Sequence, residues 1–154
     1  MNDAEHRGAV LEAIARLQRL AELFHLRRGQ LARDAGLTEA QWRVLEEIAT
    51  EHFMPSMFAR TSETTPPAVS RLIRQLVDRK LISVGVAETD GRQRRYALTP
   101  SGRRLLDRLR TARANAIDAV WMDLSGRDLG AFIRFSDVLI PRLEAYAESD
   151  TKEP

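Results

Sequence analysis

A short amphipathic helix followed at once by an arginine-rich hairpin, within residues 65–99, is the feature that most constrains the fold of this chain. Thr65 is a suitable N-cap, and Pro66 fits the first helical turn, where its missing N–H would be unpaired anyway. Apolar side chains then recur with the 3.6-residue period of a helix. These are Val69, Leu72, Ile73, Leu76 and Val77. The pattern predicts a helix that buries one stripe and exposes the other side to solvent.

The solvent side of this helix carries residue types that suit DNA. Arginine matches guanine edges and phosphates, glutamine matches adenine, and alanine can contact the thymine methyl group. An ordinary solvated helix with a basic face has the same composition, so the helix alone leaves both interpretations open. The predicted DNA contacts on this helix are Thr65, Pro67, Ala68, Ser70, Arg71, Arg74 and Gln75.

The hairpin favours the DNA-binding interpretation. Apolar residues alternate along residues 82–86 and 96–98, which is typical of two strands, and Asp90-Gly91 indicates a tight turn between them. Exposed arginines contribute little to stability, but they suit the negative potential of a narrow minor groove. A hairpin whose charges only increase solubility is the alternative. The predicted DNA contacts on the hairpin are Asp90, Arg92, Arg94 and Arg95.

The positive charge of the chain is concentrated on the same segment. The 154 residues include 24 basic and 22 acidic side chains. Between Arg60 and Arg110 there are 12 basic and 5 acidic residues, which leaves 12 basic and 17 acidic residues for the rest. A net charge of +7 on one segment and −5 elsewhere is the electrostatic pattern of a nucleic-acid binder.

Other function classes find little support. The absence of cysteine excludes disulfides and thiolate metal sites, and His6, His25 and His52 do not have metal-ligand spacing. No glycine-rich phosphate loop or nucleophile elbow occurs. No apolar run approaches the length of a membrane span or a signal peptide. We therefore expect a cytoplasmic protein that is not an enzyme, with no catalytic residue, metal, cofactor or membrane contact.

The remaining pattern predicts a mainly α fold with six helices. The first helix is expected over residues 4–28, with Gly29 as its end, and the second begins with a capping box formed by Thr38 and Gln41. A short third helix spans about residues 55–61. Thr99-Pro100 and Ser125 open the last two helices. The fold class is thus an α+β winged helix-turn-helix with a small wing sheet of two or three strands.

This order of elements resembles the MarR (multiple antibiotic resistance regulator) family of winged-helix transcription factors. The resemblance rests on residues 37–45, 68–73, 90–92 and 98–102 and extends over nearly the whole chain. It implies a single MarR-like domain over residues 1–154, with the DNA-binding lobe at residues 37–99. It further implies that Asp90 orients Arg92 at the minor groove, and that the reading helix uses Ser70, Arg71 and Arg74.

The resemblance also implies a homodimer formed by helices from both termini, residues 4–28 and 101–148. The apolar residues of these helices exceed what one small core needs. A dimer would present two reading helices to half-sites about one DNA turn apart, as on a pseudo-palindromic operator. Packing of the two terminal helices on each other within one chain is the alternative.

Members of the family commonly bind small aromatic or phenolic acids between the dimerisation helices and the DNA-binding lobe. The residues of this chain expected near that cleft are Phe24, His25, Arg28, Trp42, His52 and Phe53. Each has an ordinary explanation as well, because the aromatic residues have core spacing and the charged ones suit a solvated surface.

Four positions depart from the family pattern. Ser62 and Thr64 are polar where a family member usually has apolar residues, Lys80 replaces the usual helix-ending glycine, and Gly91 replaces an arginine. The sequence as a whole predicts a sequence-specific transcriptional regulator, a homodimeric repressor released by a small aromatic effector. The alternatives are an architectural or low-specificity DNA-binding protein and a winged-helix module that binds protein.

Overall fold

The computed structural model describes residues 2–86 and 94–150. Within these ranges the chain forms six helices and one two-stranded antiparallel sheet, which confirms the predicted fold class. The elements in chain order are α1 (Asp3–Asp34), α2 (Glu39–Ile48), α3 (Pro55–Thr61), α4 (Pro66–Asp78), β1 (Ile82–Val86), β2 (Arg94–Leu98), α5 (Pro100–Trp121) and α6 (Gly126–Asp150). The chain divides into two compact units, Met1–Arg113 and Ala114–Pro154, so α5 begins in the first unit and ends in the second.

The hydrophobic core of the first unit joins the end of α1 to α2, α3, α4, β1 and the start of α5. Its most deeply buried large side chains include Trp42, Leu45, Leu76 and Leu106. The capping box that begins α2 is present, since Thr38 Oγ1 accepts from the Gln41 amide at 3.1 Å and Gln41 Oε1 accepts from the Thr38 amide at 3.0 Å. This cap fixes the direction in which α2 enters the core.

Helix α1 is longer than the sequence indicated, because it does not end at Gly29. Gly29 is buried inside the helix, and a Cβ atom there would lie 3.0 Å from Glu39 Oε1. The helix ends instead at Gly36, which has a φ of +67°. Its amide donates to the Arg33 carbonyl and the amide of Leu37 donates to the Ala32 carbonyl, both at 2.8 Å. This pair of hydrogen bonds is the usual glycine-based helix end.

Helix α4 ends in the same way but without a glycine. Lys80 takes a φ of +56°, its amide donates to the Val77 carbonyl at 2.8 Å, and the amide of Leu81 donates to the Leu76 carbonyl at 3.0 Å. The sequence had indicated that a glycine cap is missing here; the structure forms the cap with a lysine in the left-handed region. A side chain with a Cβ atom is strained in that region.

We therefore expect Lys80→Gly to raise the free energy of unfolding by about 0.5–1 kcal/mol. Glycine removes the backbone strain at residue 80, but it also gives the unfolded chain more conformational entropy, which offsets part of the gain. Urea unfolding at a fixed protein concentration measures the change. Lys80→Ala is the control, since alanine keeps the Cβ atom and loses only the charge. Equal stabilisation by both variants would contradict the backbone explanation.

The start of α5 is anchored to the end of α4 through Thr99. The Thr99 hydroxyl donates to the Lys80 carbonyl at 2.7 Å and accepts from the amide of Gly102 at 3.0 Å, while the Thr99 amide donates to the Leu81 carbonyl at 3.0 Å. Gly102 is buried at this crossing. A Cβ atom at Gly102 would lie 2.0 Å from the carbonyl oxygen of Leu81, so only glycine fits.

Strands β1 and β2 form the base of the predicted wing. Ile82 pairs with Leu98 and Val84 pairs with Tyr96, in the antiparallel register that the alternating pattern indicated. Ile82 is buried and Tyr96 half-buried, but Val84 and Val86 are exposed. Among the described strand residues, Ile82, Tyr96 and Leu98 pack against the core.

The second unit contains the end of α5 and α6. Ser125 caps α6, since its Oγ accepts from the Asp128 amide at 3.1 Å. No residue described in this unit is buried, although its helices are rich in apolar side chains. The exposed large apolar residues are Ile117, Val120, Met122, Leu124, Phe132, Ile133, Phe135, Val138, Ile140, Leu143 and Tyr146.

The first half of α1 is similar. Its exposed large apolar residues are Val10, Leu11, Ile14, Leu20, Leu23, Phe24 and Leu26. None of the helices in the described part of the chain is long and apolar enough to cross a membrane.

Candidate nucleic-acid interface

The two sides of α4 differ as the sequence predicted, with one exception. Val69, Ile73 and Leu76 are buried against α2 and α3, whereas Val77 is exposed because the helix rotates it past the edge of the core. The cap is confirmed, since Thr65 Oγ1 accepts from the Ala68 amide at 3.3 Å. Of the seven predicted helix contacts, Ala68 is half-buried and the other six are exposed, namely Thr65, Pro67, Ser70, Arg71, Arg74 and Gln75.

The two arginines on the exposed side of α4 take no part in ion pairs within the described part of the protein. Neither Arg71 nor Arg74 forms an ion pair with any acidic residue that the structure describes, whereas arginines on other helices do so. Both guanidinium groups are exposed and one helical turn apart. They can therefore approach phosphates or base edges without first breaking an intramolecular contact.

Gln41 on α2 holds Gln75 in place, near the C-terminal end of the exposed side of α4. It is buried on α2, and its Oε1 is oriented by the Thr38 amide, so its Nε2 faces α4 and donates to Gln75 Oε1 at 3.0 Å. Gln75 is thereby turned with its oxygen toward α2. Its own Nε2 group, which carries two donors, is available to acceptors outside the protein.

Arg79 extends this network to the end of α1. Its Nη1 donates to the Gly36 carbonyl at 2.7 Å and lies 3.5 Å from Gln41 Oε1. The polar contacts therefore connect α1, α2 and α4 around one buried amide. The orientation of α4 relative to α1 and α2 therefore depends on residues outside α4.

The turn between α3 and α4 is ordered despite its polar residues. Arg43 on α2 donates from Nη2 to Ser62 Oγ at 3.0 Å, and its guanidinium lies over the Phe58 ring at 5.8 Å. The amide of Thr64 donates to the Ala59 carbonyl at 3.0 Å. Ser62 and Thr64 thus replace apolar packing with hydrogen bonds, and the helix-turn-helix is retained.

The structure describes part of the predicted wing contacts. Arg94 and Arg95 are both exposed on β2, where they pair with Val86 and Gly85. Successive strand residues point to opposite faces, so the two arginines lie on different sides of the hairpin. Asp90 and Arg92, which were also predicted to contact DNA, lie outside the described residues.

Three of the six predicted effector residues lie together at the junction of α1 and α2. The Arg28 guanidinium lies over the Trp42 ring at 4.6 Å, with nitrogen atoms 3.9 Å from a Glu39 oxygen and 3.6 Å from a Glu46 oxygen. His25 Nδ1 is 3.7 Å from the same Glu39 oxygen. Trp42 is only 1 % exposed, and its Nε1 has no hydrogen-bond partner among the described residues.

The other three are not part of that cluster. Phe53 is a core residue, with its ring edge-on to Phe58 at 5.7 Å and to Tyr96 at 5.4 Å, which explains why it is nearly fully buried. His52 is exposed and donates from Nδ1 to the Thr50 carbonyl at 2.7 Å, and Phe24 is half-exposed on α1. Two surface clefts of the first unit, of about 260 and 310 Å³, are lined by none of the six residues.

One segment of the chain matches a known protein family. Residues 35–93 match the family model described as MarR family, and this segment contains α2, α3, α4 and β1. The match covers 59 of the 154 residues and shows that this segment is similar to the MarR family. Transcription regulators of the MarR family are non-enzymatic DNA-binding proteins.

Several solved structures share the fold of this chain at low sequence identity. A Listeria innocua protein of unknown function has a TM-score of 0.75 and 23% identity, covering 91% of this chain and 99% of its own. Staphylococcus aureus MarR in complex with salicylate and kanamycin has a TM-score of 0.72 and 17% identity, covering 92% and 97%. A Staphylococcus aureus MepR–DNA complex has a TM-score of 0.64 and 19% identity, covering 82% and 93%. The comparison with curated proteins gives no match.

The residues that position α4 were not predicted from the sequence. Gln41 was assigned only to the capping box, and Arg43 and Arg79 were given no role. The contacts of Gln41 and Arg79 reach 34 and 43 residues along the chain, so no local pattern could indicate them. The polar type of residue 41, on the apolar side of a helix with Trp42 and Leu45, was the available signal.

Proposed function

We propose that this protein is a homodimeric, sequence-specific repressor that binds a pseudo-palindromic DNA site through α4 and its wing. The observation that carries the proposal is that Arg71 and Arg74 are exposed and form no ion pair with any described acidic residue, on a helix whose other side is buried. Arginine forms bidentate hydrogen bonds with guanine, the commonest specific contact in a major groove. The solved complex of Staphylococcus aureus MepR with DNA, which has the same fold, supports this use of the helix.

The Gln41–Gln75 hydrogen bond refines the expected base preference. Because Gln75 Oε1 is engaged, its Nε2 donors are the groups that face the DNA. We expect Gln75 to contact an acceptor such as a phosphate oxygen, guanine N7 or guanine O6. The bidentate contact with adenine that its residue type alone indicated needs both amide atoms and is therefore disfavoured.

Selection from a pool of random duplexes tests sequence-specific binding. We expect enrichment of one site with two related half-sites centred about one helical turn, roughly 10 base pairs, apart. Binding without enrichment would support the low-specificity DNA-binding alternative. Absence of DNA binding at low salt would support a module that binds protein and would overturn the proposal.

A dimer would cover the exposed apolar residues of α1 and of the second unit. These helices expose many large apolar residues, and exposed apolar patches mark protein interaction sites. Light scattering at micromolar concentration should give about twice the 17.5 kDa chain mass. Phe135→Glu on α6 should shift the mass toward the monomer, whereas Met57→Glu, equally exposed on α3, should not. A monomeric wild-type protein would contradict both the dimer and the two-half-site geometry.

We also propose that a small aromatic acid acts as effector at the Arg28–Trp42 cluster. A buried indole N–H without a partner is costly, and a ligand acceptor would satisfy it if Arg28 moved aside. The salicylate complex of Staphylococcus aureus MarR supports this ligand class.

In a Trp121→Phe background, an aromatic acid that binds at this cluster should quench Trp42 emission and weaken binding to the selected DNA site over the same concentration range. The two effects must occur together, because coupling between two binding sites is reciprocal. Salicylate is the first compound to test. Quenching that leaves DNA affinity unchanged would refute the effector role.

A further inference from the structure

A cleft of about 310 Å³ lies between the end of α4 and the start of α5. Three of its lining residues are arginines, and no carboxylate is among the described residues that line it. The lining residues are Ala35, Arg79, Leu81, Ser101, Arg104, Leu105 and Arg108. We refer to Arg79, Arg104, Arg108 and Ser101 as the arginine pocket.

The guanidinium groups of this pocket have no counter-charge among the residues that the structure describes. Arg104 and Arg108 are four residues apart on α5, a spacing at which like charges repel. Arg104 Nη2 donates to Ser101 Oγ at 3.1 Å, and Arg79 Nη1 donates to a backbone carbonyl. None of the three forms an ion pair with an acidic residue in the described ranges, whereas Arg110, further along α5, lies 3.8 Å from Asp107.

The pocket adjoins the C-terminal end of the proposed DNA-reading surface, since Arg79 lies 3.5 Å from Gln41, which donates to Gln75, but it lies away from the N-terminal end. Thr65 and Arg79 cap opposite ends of α4, which are about 20 Å apart at 1.5 Å per residue. The reading residues Ser70 and Arg71 lie toward the first end. Arg79 is instead joined to the end of α1 at Gly36. The pocket therefore faces a different part of the molecule from the residues expected to enter the major groove first.

We propose that the arginine pocket binds a small polyanion, a molecule with two or more phosphate or carboxylate groups close together. The planar donors of arginine match the oxygen atoms of both groups, and the Ser101 hydroxyl adds a donor at the start of α5. A bound polyanion would link the end of α1, through Arg79, to α4 and α5. It would stabilise the first unit in proportion to its occupancy.

Calorimetric titration of the full-length protein tests the proposal. Inorganic pyrophosphate and citrate are the probes, at a constant salt concentration of roughly 0.1 M so that general screening does not change. We expect pyrophosphate to bind and to raise the melting temperature, with affinity reduced about tenfold or more in the Arg104→Ala/Arg108→Ala variant. Binding of citrate in place of pyrophosphate would assign the site to clustered carboxylates, which also supports the proposal.

The Arg113→Ala/Arg142→Ala variant is the matched control, since it removes the same charge from exposed positions of α5 and α6. It should bind both probes as the wild type does. Equal loss of binding in both double variants would show a general charge effect, and absence of binding to the wild type would show that no site exists. Either result would overturn the proposal. So would unchanged probe binding by the pocket variant accompanied by weaker DNA binding, because the arginines would then belong to the DNA surface.

Discussion

Replacing Gly102 with alanine should lower the free energy of unfolding by about 3 kcal/mol, the upper part of the range for overpacked sites. The added Cβ atom would lie 2.0 Å from the Leu81 carbonyl oxygen, which belongs to the backbone and has no rotamer to change. That oxygen also accepts from the Thr99 amide and hydroxyl at 3.0 and 3.1 Å. To accommodate the methyl group, α5 would have to move away from the end of α4 and weaken these hydrogen bonds.

Thermal unfolding at a fixed protein concentration measures this effect. A loss of about 3 kcal/mol corresponds to a fall of roughly 6–12 °C in the melting temperature for a chain of this size. Gly8→Ala is the matched control, because Gly8 is also inside a helix but has no atom within 4 Å of the added Cβ. It should be neutral or stabilising by up to about 1 kcal/mol, since alanine favours helix more than glycine does. Equal melting temperatures for Gly102→Ala and the wild type would show that α5 does not approach Leu81 this closely.

Local signals in the sequence predicted the secondary structure well where caps define it. Thr38 with Gln41, Thr65 with Pro66, and Ser125 each mark the start of a helix that the structure confirms. These signals act within three or four residues, so a single sequence contains all the information they need.

Helix ends were less predictable because they depend on distant contacts. The predicted end of α1 at Gly29 was wrong, because Gly29 lies inside the helix with Glu39 of α2 against it, and the helix continues to Asp34. The end of α4 at Lys80 was hard to predict for a different reason. Tertiary packing there imposes a left-handed conformation on a residue that does not prefer it.

The sequence predicted which residues of α4 are exposed. It did not predict the contacts that hold α4 in place. The period of α4 separates Arg71 from the buried Ile73, because helical periodicity determines which side chains share a face. The Gln41–Gln75 contact depends on how α2 crosses α4, and periodicity contains no information about that crossing. The same limit explains why Phe53, predicted near an effector, is a core residue against Tyr96.

Replacing Arg71 with alanine should weaken binding to the selected DNA site by about 1–3 kcal/mol, and binding to random DNA much less. Arg71 lies in the first half of α4, where side chains of a reading helix reach base edges, and the fold makes no ion pair with it among the described residues. The loss would therefore report a contact with DNA and not a change in stability. A melting temperature equal to that of the wild type should accompany it.

Arg94→Ala is expected to behave differently. Arg94 lies on the wing strand β2, where phosphates or a narrow minor groove are the expected contacts. The substitution should weaken binding to the specific site and to random DNA to a similar extent. It should also lower the slope of log affinity against log salt concentration by about one. Arg127→Ala on α6, an exposed arginine of the second unit, is the charge-matched control and should change neither affinity.

The most direct test of the DNA-reading function of α4 is a salt titration of the wild type, Arg71→Ala and Arg127→Ala on the selected site and on a scrambled duplex. We expect Arg71→Ala to reduce the ratio of specific to random affinity by about tenfold and Arg127→Ala to leave that ratio unchanged. If Arg71→Ala and the wild type give the same ratio at moderate salt, α4 does not read DNA through its exposed arginines. The central claim would then be wrong.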